Sequence, residues 1–259
     1  MLSYQHIYHA GNPADLHKHA LLAVMLARMA EKAKPISYLE THAGRGLYDL
    51  GSAEALKTGE AAAGIGAHED WFPPEHPYAR ALAAVRAAEG PQAYPGSPRV
   101  AAEMMRQDDL MHLAELHPQE HDALEDAMIR HAARIYKQDG FEMAMSLSPP
   151  EPRRGMIVID PSYEMKEDYD TIPTFIRKLH RKWNVGVIAL WYPILRDARH
   201  YDMLAELEEA ELPKVLKSEV RFDPVRRGHG MVGSGMFIVN APYGTDIEAE
   251  RLRALFARS

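Results

Sequence analysis

Three observations predict an α/β fold, with a mostly parallel, doubly wound sheet closed at one edge by an antiparallel hairpin. Short apolar runs alternate with helix-length amphipathic segments along most of the chain, the pattern of βαβ units. The last two runs are separated only by a loop at 223–235, which marks an antiparallel pair rather than a crossover. Finally, 259 residues at 46% hydrophobic and 26% charged is an ordinary globular composition, long enough for one large domain.

The elements follow in order. Asn12 is placed to cap a first helix, Pro13 to start it and Asp15 to face its dipole. Leu16, Ala20, Val24 and Ala27 recur at helical spacing, and Lys34-Pro35 closes the segment. Residues 36–41 read as the first strand and run into His42-Ala43-Gly44-Arg45-Gly46. Further strands are expected at 110–116, 134–137, 156–160, 185–191, 214–222 and 236–240, with helices at 119–132, 168–183 and 194–211. Residues 50–95 are rich in Ala, Gly and Pro, with a helical pattern at 77–88. They fall where a plain βαβ unit needs only ~30 residues. They read as a small helical subdomain inserted into a main domain of 1–49 and 96–259.

Composition narrows the chemistry. The chain has no cysteine, which excludes disulfides, thiolate metal sites and a thiol nucleophile. A net charge of −7 argues against indiscriminate binding of polyanions. Positive charge is nevertheless clustered, at Arg177, Lys178, His180, Arg181 and Lys182, and again at Arg226, Arg227 and His229. Such runs also serve as solvated faces. No apolar stretch approaches the ~18 residues of a membrane span, and residues 1–10 lack a signal-peptide layout, so a cytoplasmic location is expected. His6, His9, His17, His19, His117 and His121 lack a metal-site motif or carboxylate cluster, and no metal is expected.

The most informative peptide is Ile157-Val158-Ile159-Asp160-Pro161-Ser162-Tyr163. In an open α/β sheet, ligands bind at the carboxyl ends of strands, where these side chains lie. The exocyclic amine of an adenine is a poor nucleophile because its lone pair is delocalised into the ring. A carboxylate and a fixed carbonyl, those of Asp160 and Pro161, can accept its hydrogens and localise that lone pair. Tyr163 offers a ring for an extruded base. Asp-Pro after a strand is also a good turn, and the peptide alone supports both readings. The glycines of Glu40-Thr41-His42-Ala43-Gly44-Arg45-Gly46 suit a nucleotide-binding loop without completing G-x-G-x-x-G. A phosphate loop at 51–58 is rejected, because Leu56 stands where its second glycine belongs. Glu115 ends the second major strand, as the ribose-binding acid does in dinucleotide folds, and Asp139-Gly140-Phe141 follows the next.

The opening Met1-Leu2-Ser3-Tyr4 with His6, then His9-Ala10-Gly11-Asn12 with Lys18-His19, resembles the ribosomal RNA large subunit methyltransferase J family. The likeness continues at Thr41-His42-Ala43-Gly44, Tyr94-Pro95-Gly96-Ser97-Pro98, Glu115-Leu116-His117-Pro118, Asp139-Gly140-Phe141, Asp160-Pro161, Leu190-Trp191-Tyr192-Pro193 and Arg226-Arg227-Gly228. These blocks span almost the whole chain in order. The resemblance implies a class I, Rossmann-like methyltransferase fold and N6-methylation of one adenine in large-subunit (23S) ribosomal RNA. The donor is S-adenosylmethionine and the RNA is expected protein-free or early in assembly. It implies a cofactor pocket lined by His19, His42, Ser97, Glu115, Asp139, Gly140 and Asp160. Asp160, Pro161 and Tyr163 would be catalytic, and Tyr4, His6, Lys18, Tyr163, Arg226 and Arg227 would meet substrate, in a monomer. The alternative is a DNA-directed or non-catalytic nucleic-acid-binding protein on the same scaffold, tied to use of external DNA. One departure favours the non-catalytic form of that alternative: Ser162 replaces the second proline of the family's Asp-Pro-Pro-Tyr, which removes a stiffening ring.

Overall fold

A computed structural model describes residues 5–224 and 230–259. The chain enters through a single 3-10 turn, His6–Tyr8, and then α1 (Pro13–Ala30). Asn12 caps α1 by accepting the Asp15 N–H at 2.9 Å, with Pro13 in the first turn, as expected. The helix is buried on nearly every side, including Asp15, His17, Lys18 and His19. Polar residues so placed need partners, because an unpaired buried polar group is costly. Those partners make the site described below.

Seven strands form the main sheet: β1 (Ser37–Glu40), β4 (Leu110–Ala114), β5 (Ala133–Tyr136), β6 (Gly155–Ile159), β7 (Val187–Leu195), β8 (Leu216–Arg221) and β9 (Met231–Val239). A separate short antiparallel pair is β2 (Leu47–Asp49) and β3 (Ala93–Pro95). The main order is β5-β4-β1-β6-β7-β9-β8. β5, β4, β1, β6 and β7 are parallel, while β9 runs antiparallel to both β7 and β8. This is the predicted parallel sheet closed by a hairpin. The order reverses between β1 and β6, and that switch point opens a crevice at the strands' carboxyl ends.

Between β2 and β3 the chain forms α2 (Ala53–Thr58), α3 (Glu60–Ala63), α4 (Ile65–His68) and α5 (Pro77–Glu89). Tyr78, Ala81, Leu82 and Val85 of α5 are buried, and most of them join the core cluster that also contains Leu22, Leu26 and Tyr94. The remaining helices are α6 (Ser97–Met104), α7 (Pro118–Met128), α8 (Gly140–Leu147), α9 (Glu167–Lys182), α10 (His200–Glu209) and α11 (Thr245–Phe256).

Three boundaries beside the crevice differ from expectation. β7 continues through Leu195, and α10 begins only at His200 rather than near 194. Pro193 sits in this extension, where β6 no longer pairs with β7 (its last partner is Leu190), so the missing N–H breaks no ladder on that side. β9 likewise starts at Met231, earlier than expected, to pair with the extension. The basic run at 177–182 closes α9 next to Trp183, whose indole donates to the Arg153 carbonyl just before β6. That places it at the edge of the sheet opposite the crevice. No helix among the described residues is long and apolar enough to cross a membrane.

Candidate active site

Loops after four parallel strands converge on the crevice: His42 after β1, Glu115 after β4, Asp139 after β5 and Asp160 after β6. A cavity of about 310 Å³ opens there. Of the residues singled out from sequence, His6, Lys18, His19, His42, Ser97, Glu115, Asp160, Pro161 and Tyr163 line it together. Asp139 and Gly140 do not; they stand behind His42, whose ring meets Phe141 edge-on at 5.3 Å. Tyr4, Arg226 and Arg227 lie outside the described residues.

The centre of the site is a run of buried charges. Lys18 Nζ lies 2.6 Å from Asp160 Oδ2 and 3.3 Å from Asp15 Oδ1. Asp15 also accepts the Gly11 N–H at 2.9 Å and meets His6 Nε2 at 3.0 Å. Burial opposes the charge on Lys18, but Asp160 and then Asp15 outweigh it and hold the ammonium above the usual lysine range. Burial would raise Asp15, but His6 and Lys18 hold its carboxyl well below the ordinary carboxylate range. The ammonium therefore stays charged in water-poor surroundings because two acids face it.

Around this core further polar groups line or back the cavity. Glu115 is raised by burial, against the opposing pull of two backbone N–H groups, His117 and Gly44, each 2.8 Å from one carboxylate oxygen. Both oxygens keep further lone pairs for a diol. Burial pushes the His42 imidazole down to about 4, so it is neutral, with Thr41 Oγ1 2.7 Å from Nδ1. His19 is pushed down to about 3 by burial; its Nδ1 sits 3.1 Å from the Tyr94 hydroxyl, and its Nε2 is buried with no hydrogen-bond partner. The Ser97 hydroxyl donates to Glu40, which also accepts from Tyr38 at 2.8 Å.

Two glycines are required by close approach. Gly44 has φ +60°, open to glycine at little cost, and a Cβ there would meet the Tyr48 hydroxyl at 2.7 Å. A Cβ on Gly140 would meet the Thr41 carbonyl oxygen at 1.9 Å, so α8 can start against β1 only without a side chain. Asp139 caps that helix, accepting the Glu142 N–H at 2.9 Å.

The Asp160 loop is tightly held. Tyr163 adopts φ +56°, its hydroxyl donates to the Trp191 carbonyl at 2.7 Å, and its ring meets Tyr169 at 4.7 Å. The Ser162 hydroxyl accepts the Glu164 N–H in a long 3.5 Å contact, so it serves the turn. Sequence reading missed Glu40, Trp191 and Pro193 as parts of the site, and read Asp15 only as a helix-dipole residue. The available signal for Trp191 and Pro193 was their position at the end of an apolar strand, like Asp160 itself.

Comparisons with known proteins place the chain in a family. The family model described as Ribosomal RNA large subunit methyltransferase D, RlmJ, matches residues 33–258. Ribosomal RNA large subunit methyltransferase J of Escherichia coli (strain K12) is 38% identical over 247 residues, covering 94% of this chain and 88% of that protein. A crystal structure of a Legionella pneumophila protein superposes with a TM-score of 0.84 at 33% identity, covering 95% and 92% of the two chains. A SAM-dependent methyltransferase from Agrobacterium tumefaciens shares the fold alone, with a TM-score of 0.50 at 12% identity over 86% of this chain and 61% of that one. With the matched stretch running from just before β1 to the end of α11, the chain belongs to the ribosomal RNA large subunit methyltransferase J family.

Proposed function

We propose that this chain transfers the methyl group of S-adenosylmethionine to the exocyclic amine of an adenine in large-subunit ribosomal RNA. The observation that carries the reading is the placement of Asp160 and Pro161 at the open end of β6. They share one cavity with Glu115, whose free lone pairs suit a ribose diol.

The residues fit the cofactor. Gly44, His19, His42, Ser97 and Glu115 line one cavity, and Glu115 keeps lone pairs on both carboxylate oxygens for a ribose diol. His19, His42, Ser97 and Glu115 would hold it, with Asp139 and Gly140 behind them toward an adenine edge. When bound, the donor supplies an electrophilic methyl group on a sulfonium.

The rest is done by the chain. Lys18 takes Oδ2 of Asp160 and fixes the carboxylate's rotation, leaving Oδ1 for one amine hydrogen of the base. The Pro161 carbonyl takes the other. With both hydrogens engaged, the nitrogen lone pair is drawn out of conjugation and aimed at the methyl carbon. The amine nitrogen would bond the methyl carbon as the sulfur–carbon electron pair leaves with sulfur as a neutral thioether, and the proton shed by the methylated nitrogen would pass to the Asp160 carboxylate and on to water in the cavity. Tyr4, His6, Arg226 and Arg227 would engage the RNA backbone around the extruded base, and the enzyme would work as a cytoplasmic monomer.

The test is methyl transfer from labelled S-adenosylmethionine to unmodified, protein-free large-subunit RNA, with duplex DNA in parallel. Label recovered as N6-methyladenosine, absent in Asp160→Ala while cofactor affinity stays within about threefold, supports the reading. Labelling of DNA alone, or equal loss of cofactor binding and turnover in the variant, refutes it.

A further inference from the structure

One wall of the cavity has no assigned role. Trp191 ends the parallel part of β7, and the register that pairs Ile159 with Leu190 sets it beside Asp160. It lines the cavity together with Pro161 and Tyr163.

The indole is held from behind by a buried relay. Its Nε1–H donates to Ser234 Oγ at 2.9 Å. Ser234 Oγ lies 2.9 Å from His17 Nδ1, and His17 Nε2 lies 2.9 Å from Ser218 Oγ. An indole can only donate, so Ser234 accepts from it, and His17, kept neutral because burial pushes it down to about 3, bridges Ser234 and Ser218 with one ring nitrogen donating and the other accepting. Elements α1, β8 and β9 thus meet behind a single ring and set its angle.

Tyr163 is less available. It is 8% exposed, its ring packs on Tyr169, and its hydroxyl is spent on the Trp191 carbonyl. Trp191 is only partly buried. The two ring centroids are 6.1 Å apart at 60°, too close and too steep for a base to lie between them. Lys18 Nζ stands over the indole, 5.5 Å from its centroid and within cation–π range, which is wider than the spacing of a stacked base.

We infer that Trp191 is the platform on which the substrate's target purine stacks, with Tyr163 as the side wall that bounds it. The inference rests on the proposed adenine methylation and names the residue that positions the base.

The test uses the full chain labelled with 5-fluorotryptophan and saturated with S-adenosylhomocysteine. Its three tryptophans give three fluorine resonances, and the Trp191 signal is identified with Trp191→Phe. Titration with AMP shifts the Trp191 resonance saturably and leaves the Trp71 and Trp183 signals in place. Trp191→Ala lowers kcat/KM on RNA about ten- to a hundred-fold, with S-adenosylhomocysteine affinity unchanged and partial recovery in Trp191→Phe. Formation of N6-methyladenosine with a Trp191 resonance unmoved by AMP, or with full activity in Trp191→Ala, overturns the platform. If instead another nucleotide moves the resonance and label appears on that base, the platform stands and the adenine reading falls.

Discussion

Removing the Lys18 ammonium, as in Lys18→Met, keeps most of the side chain's apolar length and deletes its charge. In the folded protein the charge sits 2.6 Å from one carboxylate and 3.3 Å from another, with side-chain exposures of 6% for Lys18, 13% for Asp160 and 2% for Asp15. Breaking a buried pair by losing one partner costs about 3–5 kcal/mol. Asp15 keeps Gly11 and His6, and Asp160 borders the cavity where water can reach it. The lower end, about 3 kcal/mol, therefore applies, or about 6–12 °C in Tm for a chain of this size. Urea denaturation at pH 7 followed by circular dichroism measures it. The pH dependence has a definite sign. The raised Lys18 keeps its contribution at every pH below the ordinary lysine range, so it does not vary near neutrality. The depressed Asp15 contributes above the ordinary carboxylate value and loses that contribution as pH falls. The gap between wild type and Lys18→Met therefore narrows in acid. Adding Asp160→Asn to Lys18→Met recovers part of the loss, because it removes the stranded charge. A loss below about 1 kcal/mol, or strict additivity of the two substitutions, would refute a coupled buried pair.

Two further outcomes test other parts of the structure. Gly140→Ala forces a methyl group against the Thr41 carbonyl, which as backbone cannot move aside cheaply, so a loss of about 2–3 kcal/mol is expected. Calorimetry should also show weaker S-adenosylhomocysteine binding, and wild-type values in both measurements would contradict the close approach. Burial holds the Glu40 carboxyl up to about 8, so the folded state retains a proton that the unfolded chain releases. Stability should then fall as pH rises through roughly 5 to 8, by about 1 kcal/mol per unit at most, and Glu40→Gln should flatten that slope in thermal melts. An unchanged slope would show that Glu40 does not bind the proton.

What could be read from the sequence was local. Asn12-Pro13 with Asp15 marks the start of α1 within a few residues, and an apolar strand followed by Asp160-Pro161 marks a loop at a strand's carboxyl end, although that peptide alone fits a plain turn equally well. The hairpin was legible because the loop between β8 and β9 is too short for a helix. Long-range pairing was not. Lys18 and Asp160 are 142 residues apart, and His17 and Ser234 are 217 apart, and no periodicity joins such positions. Pro193 hid the extension of β7, because proline argues against a strand unless one side of the ladder is already absent. The basic run at the end of α9 fitted either a nucleic-acid contact or a solvated face in the sequence, and the topology sets it away from the crevice.

The near-complete burial of α1 has a consequence for how this protein can fail. The helix that presents Lys18 and His19 to the cavity also carries Leu16, Leu21, Leu22, Met25 and Leu26 into the largest core cluster. The candidate site and the core therefore share one helix, and the site has no private hinge along it by which to loosen first. Amides of α1 should exchange with solvent only when the whole sheet opens, and activity in mild denaturant should vanish in step with the core. Selection acting on the reaction centre is thus also selection on folding, which leaves the loops at the crevice rim as the freer ground for changing what the enzyme modifies.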